Sequence, residues 1–174
     1  MLKNLFILFI GAALAGGCCI GPAVMSDIGP SKLPDQPITR LAIAPGSGLL
    51  GDAIGLELFN RGLTVVDADE SKAIMGRVGL KEFEIVEAQG LAALHEKGIE
   101  AVLIVKSNFA PDGVPESATI RIINTASGKL IVGIVWQNAW GGERGSPLDR
   151  MARKSLPGAA KDISEELLRR LGSK

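Results

Sequence analysis

Apolar and polar positions along this chain alternate in two rhythms, and the switches between them mark the elements. Ile38 to Ala44 is an apolar run of strand length stopped by Pro45. Leu50, Ala53, Ile54 and Leu58 then recur on one face of a helix expected over Leu49 to Arg61, with Gly62 as its terminator. Leu63 to Val66 reads as a second strand. Asp67 or Asp69 can cap a helix from about Glu70 to Val78, Lys81 to Val86 is ambiguous, and Glu87 to Lys97 reads as a helix closed by Gly98. Ala101 to Val105 is almost wholly apolar, as expected of a central strand covered on both faces.

Ala118 to Asn124 and Leu130 to Trp136 are two further strands, joined by a loop of hairpin length with Gly128 near its end. Leu148, Met151, Ala152 and Ser155 lie on one helical face. Pro157-Gly158 is expected to interrupt it before Ala160, Ile163, Leu167 and Leu171 resume the spacing. The order β-α-β-α-α-β-β-β-α predicts a single α/β (α+β) domain over residues 38–174, with a mixed sheet of about five strands flanked by helices.

Ahead of this domain stands a segment of another kind. Lys3 supplies a positive start, Leu5 to Leu14 is an apolar run of signal-core length, and Leu14-Ala15-Gly16-Gly17-Cys18 resembles the box cut by lipoprotein signal peptidase. Residues 1–17 are expected to be removed and Cys18 to be lipidated, the run being shorter than the roughly 20 residues of a membrane-spanning helix. Cys19 is not the aspartate that retains lipoproteins at the inner membrane of enteric bacteria, which favours an outer-membrane, periplasm-facing destination. Residues 18–37, rich in Gly, Pro, Ser and Asp, read as a tether reaching on the order of 60 Å when fully extended.

Composition narrows the chemistry. Removing 17 of the 174 residues leaves 157, with 18 basic residues facing 19 acidic ones, and no long basic run speaks for nucleic acid. The only two cysteines are Cys18 and Cys19, so the domain has no thiol metal ligand and no disulfide framework. His95, the single histidine, lies beside Glu96 and Lys97 in a helix and reads as a solvated surface residue. Glu82, Glu84 and Glu87 read as the wet face of a strand. Neither a catalytic set nor a metal cluster can be named, and no cofactor is expected.

One motif demands a contest. Gly46-Ser47-Gly48-Leu49-Leu50-Gly51 matches G-x-G-x-x-G between a strand and a helix, with Asp69 about 20 residues on, the context of a dinucleotide fingerprint. In that reading the loop amides hold a pyrophosphate and Asp69 binds ribose hydroxyls. The ordinary reading has the glycines relieving strain and easing helix packing, in a chain that holds 22 of them, with Asp69 near a helix start.

The succession Leu41-Ala42-Ile43-Ala44-Pro45, glycine loop and helix, Leu63-Thr64-Val65-Val66-Asp67, the Glu70 to Leu80 segment, Gly98 to Val105, and Ile120 to Leu130 with its Gly128-Lys129 pair is telling. It resembles the superfamily of the curli-secretion lipoprotein CsgG, the penicillin-binding-protein activator lipoprotein LpoB and the amino-terminal domain of TolB. The resemblance spans roughly Ile38 to Leu171. It implies a bacterial envelope lipoprotein whose α/β domain binds other proteins, and a homo-oligomer is a separate partner expectation. Gly46 stands where the family often has an aromatic, and Lys106 where it often has glycine.

A CsgG-like pore would need inserted hairpins of roughly 20 residues or more. Asn108 to Ser117 and Gln137 to Ser146 read instead as plain loops. Trp136 is expected in the core. Trp140, in a loop beside Gly141-Gly142-Glu143-Arg144, has the Trp and Arg composition of a contact hot spot. The expectation is a noncatalytic module anchored in a membrane through Cys18, touching an envelope partner through Trp140 and Arg144.

Overall fold

The computed structural model describes residues 20–28 and 37–172. The signal segment and Cys18 lie outside the described residues. No helix among those described is long and apolar enough to cross a membrane.

The chain forms one mixed sheet with helices on both faces. Two N-terminal strands, β1 (Ile20–Gly21) and β2 (Val24–Asp27), precede the expected succession of β3 (Arg40–Ile43), α1 (Gly48–Asn60), β4 (Thr64–Val66) and α2 (Ala68–Arg77). A 3-10 turn over Glu82–Val86 leads to α3 (Ala88–Glu96). Then come β5 (Ala101–Phe109), β6 (Pro115–Asn124), β7 (Leu130–Gln137), β8 (Trp140–Gly141), α4 (Pro147–Ala152) and α5 (Leu156–Leu171). The six-stranded sheet runs β2-β7-β6-β5-β3-β4, with β3 parallel to β4 and β5 and the remaining pairs antiparallel. The expected α+β architecture stands, one edge strand wider.

Side-chain alternation divides the core. Leu41, Ile43, Leu103 and Val105 join Leu50, Ile54 and Leu58 of α1 and Ile163, Leu167 and Leu171 of α5 on one face. Ala42, Ala44 and Val102 meet Ile74 and Met75 of α2 and Leu91 and Leu94 of α3 on the other. Strands β3 and β5 are thus buried on both sides, as the unbroken apolar run of β5 predicts.

Several boundaries differ from expectation for local reasons. Residues 20–28, part of the expected tether, form an edge ladder. Val24, Ser26 and Asp27 are exposed, so backbone pairing rather than an apolar rhythm makes the strand. Asn108 to Ser117 is not a plain loop, because β5 and β6 stay paired to Phe109 and Pro115. Their turn closes through the Ala110 amide on the Val114 carbonyl at 2.8 Å, with Gly113 at φ +78. Pro115 can open β6 because the first residue of a strand tolerates a missing donor.

Glu82 and Glu84 lie on the 3-10 turn rather than a strand, and the Glu84 carboxylate accepts from the Lys81 amide at 2.5 Å. The break in the C-terminal helices falls at Arg153 to Ser155. Pro157 sits in the first turn of α5, where its missing N–H forfeits no helical bond.

Candidate functional site

The glycine loop sits at the crevice between the carboxyl ends of β3 and β5, where α1 leaves toward one face and α2 and α3 lie on the other, the usual ligand position of such sheets. The Ser47 side chain is buried and its hydroxyl accepts from the Val105 amide at 3.3 Å, tying the loop into the sheet. Gly46 and Gly48 hold φ of +80 and +63, and a Cβ at Gly51 would stand 2.4 Å from that of Ser47. Backbone geometry and close packing therefore require these glycines without any ligand.

Asp69 is exposed in the first turn of α2, whereas Asp67 is the cap, accepting from the Glu70 amide at 2.7 Å. Beyond the loop lies an open cleft of about 580 Å³ bounded by Pro45, Gly46, Gly76, Leu80 and Phe83. Its cations are engaged: Lys72 pairs with Glu82 at 2.5 Å, and Lys81 lies 5.7 Å from the Phe83 ring centre. His95 is exposed, its Nδ1 3.4 Å from the Thr125 hydroxyl. That hydroxyl donates to the Ile99 carbonyl at 2.6 Å, a structural bond.

The second candidate region is built where β7 passes into β8. Trp136 is fully buried in the core, as expected, while Trp140 is 54% exposed. Between them Asn138 works as a clamp. Its side-chain amide donates to the carbonyls of Pro115 at 2.7 Å and Lys154 at 2.9 Å, and its oxygen accepts from the amides of Ala139 and Lys154, both at 2.8 Å. Gln137 to Ser146 is therefore no plain loop, since it carries β8 and the clamp.

The N-terminal ladder completes this region. Val24 to Asp27 pairs with Gln137 to Ile134, and Ile20-Gly21 pairs with Gly141-Trp140 in the same register, so the two short pairings are one ribbon interrupted at Pro22-Ala23. Proline has no N–H to give at the gap, while the Asn138 backbone N–H donates across the other side to the Glu116 carbonyl at 2.8 Å. The indole of Trp140 lies against Gly21, whose added Cβ would meet its Nε1 at 2.2 Å.

Charged groups buttress the ribbon. Arg170 of α5 reaches Asp27 at 2.8 Å and Glu166 at 2.6 Å. Arg144, close to Trp140, pairs with Glu116 at the rim of a hollow of about 340 Å³. Arg153 binds Asp112 at 2.7 Å and Asp149 at 3.1 Å. The Gly145 amide, donating at 2.9 Å, holds the Asp149 carboxyl below its ordinary range, with the Arg153 charge adding to it. The Arg153 guanidinium does the same to Asp112.

Asn138, Asp149, Arg153 and Gly21 escaped the sequence reading. Only Asp149 left a local signal, because Ser146-Pro147-Leu148-Asp149 has the form of a helix start, and Ser146 does accept from the Asp149 amide at 3.2 Å.

No family model and no curated protein matches this chain. Solved structures do. The chain is similar to the lipoprotein GNA1162 of Neisseria meningitidis, with a TM-score of 0.46 and 14% identity over 78% of this chain and 98% of that one. It is similar to PelC of Paraburkholderia phytofirmans, solved as a dodecamer, with a TM-score of 0.45 and 13% identity over 88% and 99%. It is similar to the C-terminal domain of LpoB from Escherichia coli, with a TM-score of 0.41 and 11% identity over 60% and 86%.

Proposed function

We propose that this chain is a noncatalytic binding module, held by a lipid on Cys18 at the periplasmic face of a bacterial outer membrane, where it scaffolds or regulates an envelope machine. The observation that carries the reading is the ribbon from residue 20 to residue 28. Its first strand begins two residues after Cys18, so the chain enters the fold directly behind the expected cleavage point. Lipid attachment there, at about 0.8 kcal/mol per buried CH₂ with more than one acyl chain, is effectively permanent. Trp140 and Arg144, presented beside that strand, form the contact surface of the module. The residue after the anchor is Cys19 rather than aspartate, which supports the outer membrane.

The ordinary reading of the glycine loop is supported by Ser47, whose buried hydroxyl accepts from the Val105 amide and ties the loop into the sheet.

Two measurements test this reading. Mass spectrometry of the mature protein is expected to show an acylated N-terminal Cys18, and Cys18→Ser is expected to free a folded domain from membranes. An unacylated terminus, or a serine variant that still fractionates wholly with membranes, overturns the anchor. A rise in melting temperature with NAD that disappears in Gly48→Val would overturn the noncatalytic assignment, because a ligand that binds only the native state stabilises it.

A further inference from the structure

The geometry points to the bilayer that anchors the protein as the partner of Trp140, the indole resting among lipid headgroups. This inference rests on the acylated Cys18 proposed above and specifies what the Trp140 surface touches.

Chain length sets the argument. Two residues of extended chain span at most about 7 Å, so the Cα of Cys18 stands within that distance of Ile20, wherever the intervening backbone runs. Ile20 and Gly21 are themselves fixed, paired with Gly141 and Trp140. Residues directly opposite in an antiparallel ladder stand about 4.5 to 5.5 Å apart, so Trp140 follows Gly21 closely. A thioether carrying diacylglycerol places its cysteine at the level of the headgroups, a layer about 5 to 7 Å deep on each side of the hydrocarbon. The wall of the domain around β1 and β8 thus meets that layer, with no slack to hold it away.

The chemistry of the wall agrees. Trp140 is 54% exposed while the Nε1 side of its ring lies against Gly21, so it offers a large aromatic surface beside β1. Such a ring is favoured where hydrocarbon gives way to water. Arg144 stands at the same hollow, its side chain 71% exposed beyond its pairing with Glu116, suited to a lipid phosphate.

The test uses the full acylated protein in vesicles of phosphatidylethanolamine and phosphatidylglycerol, with the same lipids brominated on their acyl chains as quenchers. Trp136 is fully buried in the core, so quenching reports on Trp140. Emission is expected to fall in brominated vesicles, and the loss to disappear in Trp140→Phe. A Gly/Ser insert of about 20 residues between Cys19 and Ile20, with a root-mean-square reach of about 25 Å, is expected to keep the protein on floated vesicles while quenching declines.

Protein that floats with the vesicles and stays unquenched overturns the inference and leaves the anchor standing, assigning Trp140 to a protein partner. Protein that fails to float and proves unacylated overturns the anchor, and this inference with it.

Discussion

The indole of Trp140 is seated on Gly21, so closely that a single added carbon at position 21 would stand 2.2 Å from the ring nitrogen. The contact joins a residue just past the expected lipidation site to one 119 positions later, through a ladder only two residues long. Gly21→Val is expected to push the ring outward. Trp140 belongs to no core cluster, so the melting temperature should hardly move, while tryptophan emission shifts to longer wavelength and acrylamide quenches it more strongly. Unchanged emission would show that the ring does not rest there.

Asn138 holds β6, β7 and the Lys154 backbone together with four hydrogen bonds from one buried side chain. Asn138→Ala strands several backbone groups away from water, at about 1 to 3 kcal/mol for each group left unsatisfied. A loss of about 3 kcal/mol in chemical denaturation is expected. Asn138→Asp should fare little better, because the carboxylate cannot donate to the Pro115 and Lys154 carbonyls. A neutral result for either substitution would remove the clamp from the account of how Trp140 is positioned.

Acid should weaken the C-terminal turns of α5. Hydrogen bonds from Arg169, and then Arg170, pull the Glu166 carboxyl from 4.5 down to about 2. The folded protein keeps this carboxylate charged where the unfolded chain would protonate it. Its stabilisation is therefore complete above about pH 4.5 and is lost as the pH falls toward 2. Glu166→Gln is expected to flatten the decline of stability across that window and to leave slopes from Asp112, Asp149 and Glu165, whose carboxyls are also held low. A variant as acid-sensitive as the parent would contradict this role.

Two helical glycines should respond in opposite directions to the same change. A Cβ at Gly90 would lie 2.3 Å from the Glu84 carbonyl oxygen and 2.8 Å from the Ile85 Cα, both backbone atoms that cannot swing aside. Gly90→Ala is expected to destabilise by about 1 to 3 kcal/mol, the usual scale of overpacking. A Cβ at Gly76 meets nothing within 4 Å, in the last turn of α2. Gly76→Ala should stabilise by about 0.5 to 1 kcal/mol. Thermal melts of the two variants moving the same way would refute the packing described around the 3-10 turn.

Where burial drives structure, this sequence was legible. The apolar run of β5, the helical spacing of Leu50, Ile54 and Leu58, and the hairpin of β6 and β7 all declare themselves because side chains must reach the core. What stayed hidden is held by the backbone or by long-range polar contacts. Ser26 and Asp27 look like tether because β2 is a ladder strand with exposed side chains, and its ion pair to Arg170 joins residues far apart in the chain. Trp140 drew notice by its composition, but its platform at Gly21 and its clamp at Asn138 have no local signature. The tie that holds the glycine loop to the sheet, the Ser47 to Val105 bond, likewise joins residues far apart in the chain and has no local signature.

The N-terminal ribbon also guards the domain against its own kind. Without residues 20–28, β7 becomes the outermost strand, eight residues long, with Ile131 and Val135 only half-buried and its backbone groups open to any passing strand. A shortened chain starting at Pro37 keeps the core helices and strands yet carries an adhesive border. The segment proposed to follow the lipid anchor is thus also the selvedge that keeps neighbouring copies from knitting into one another.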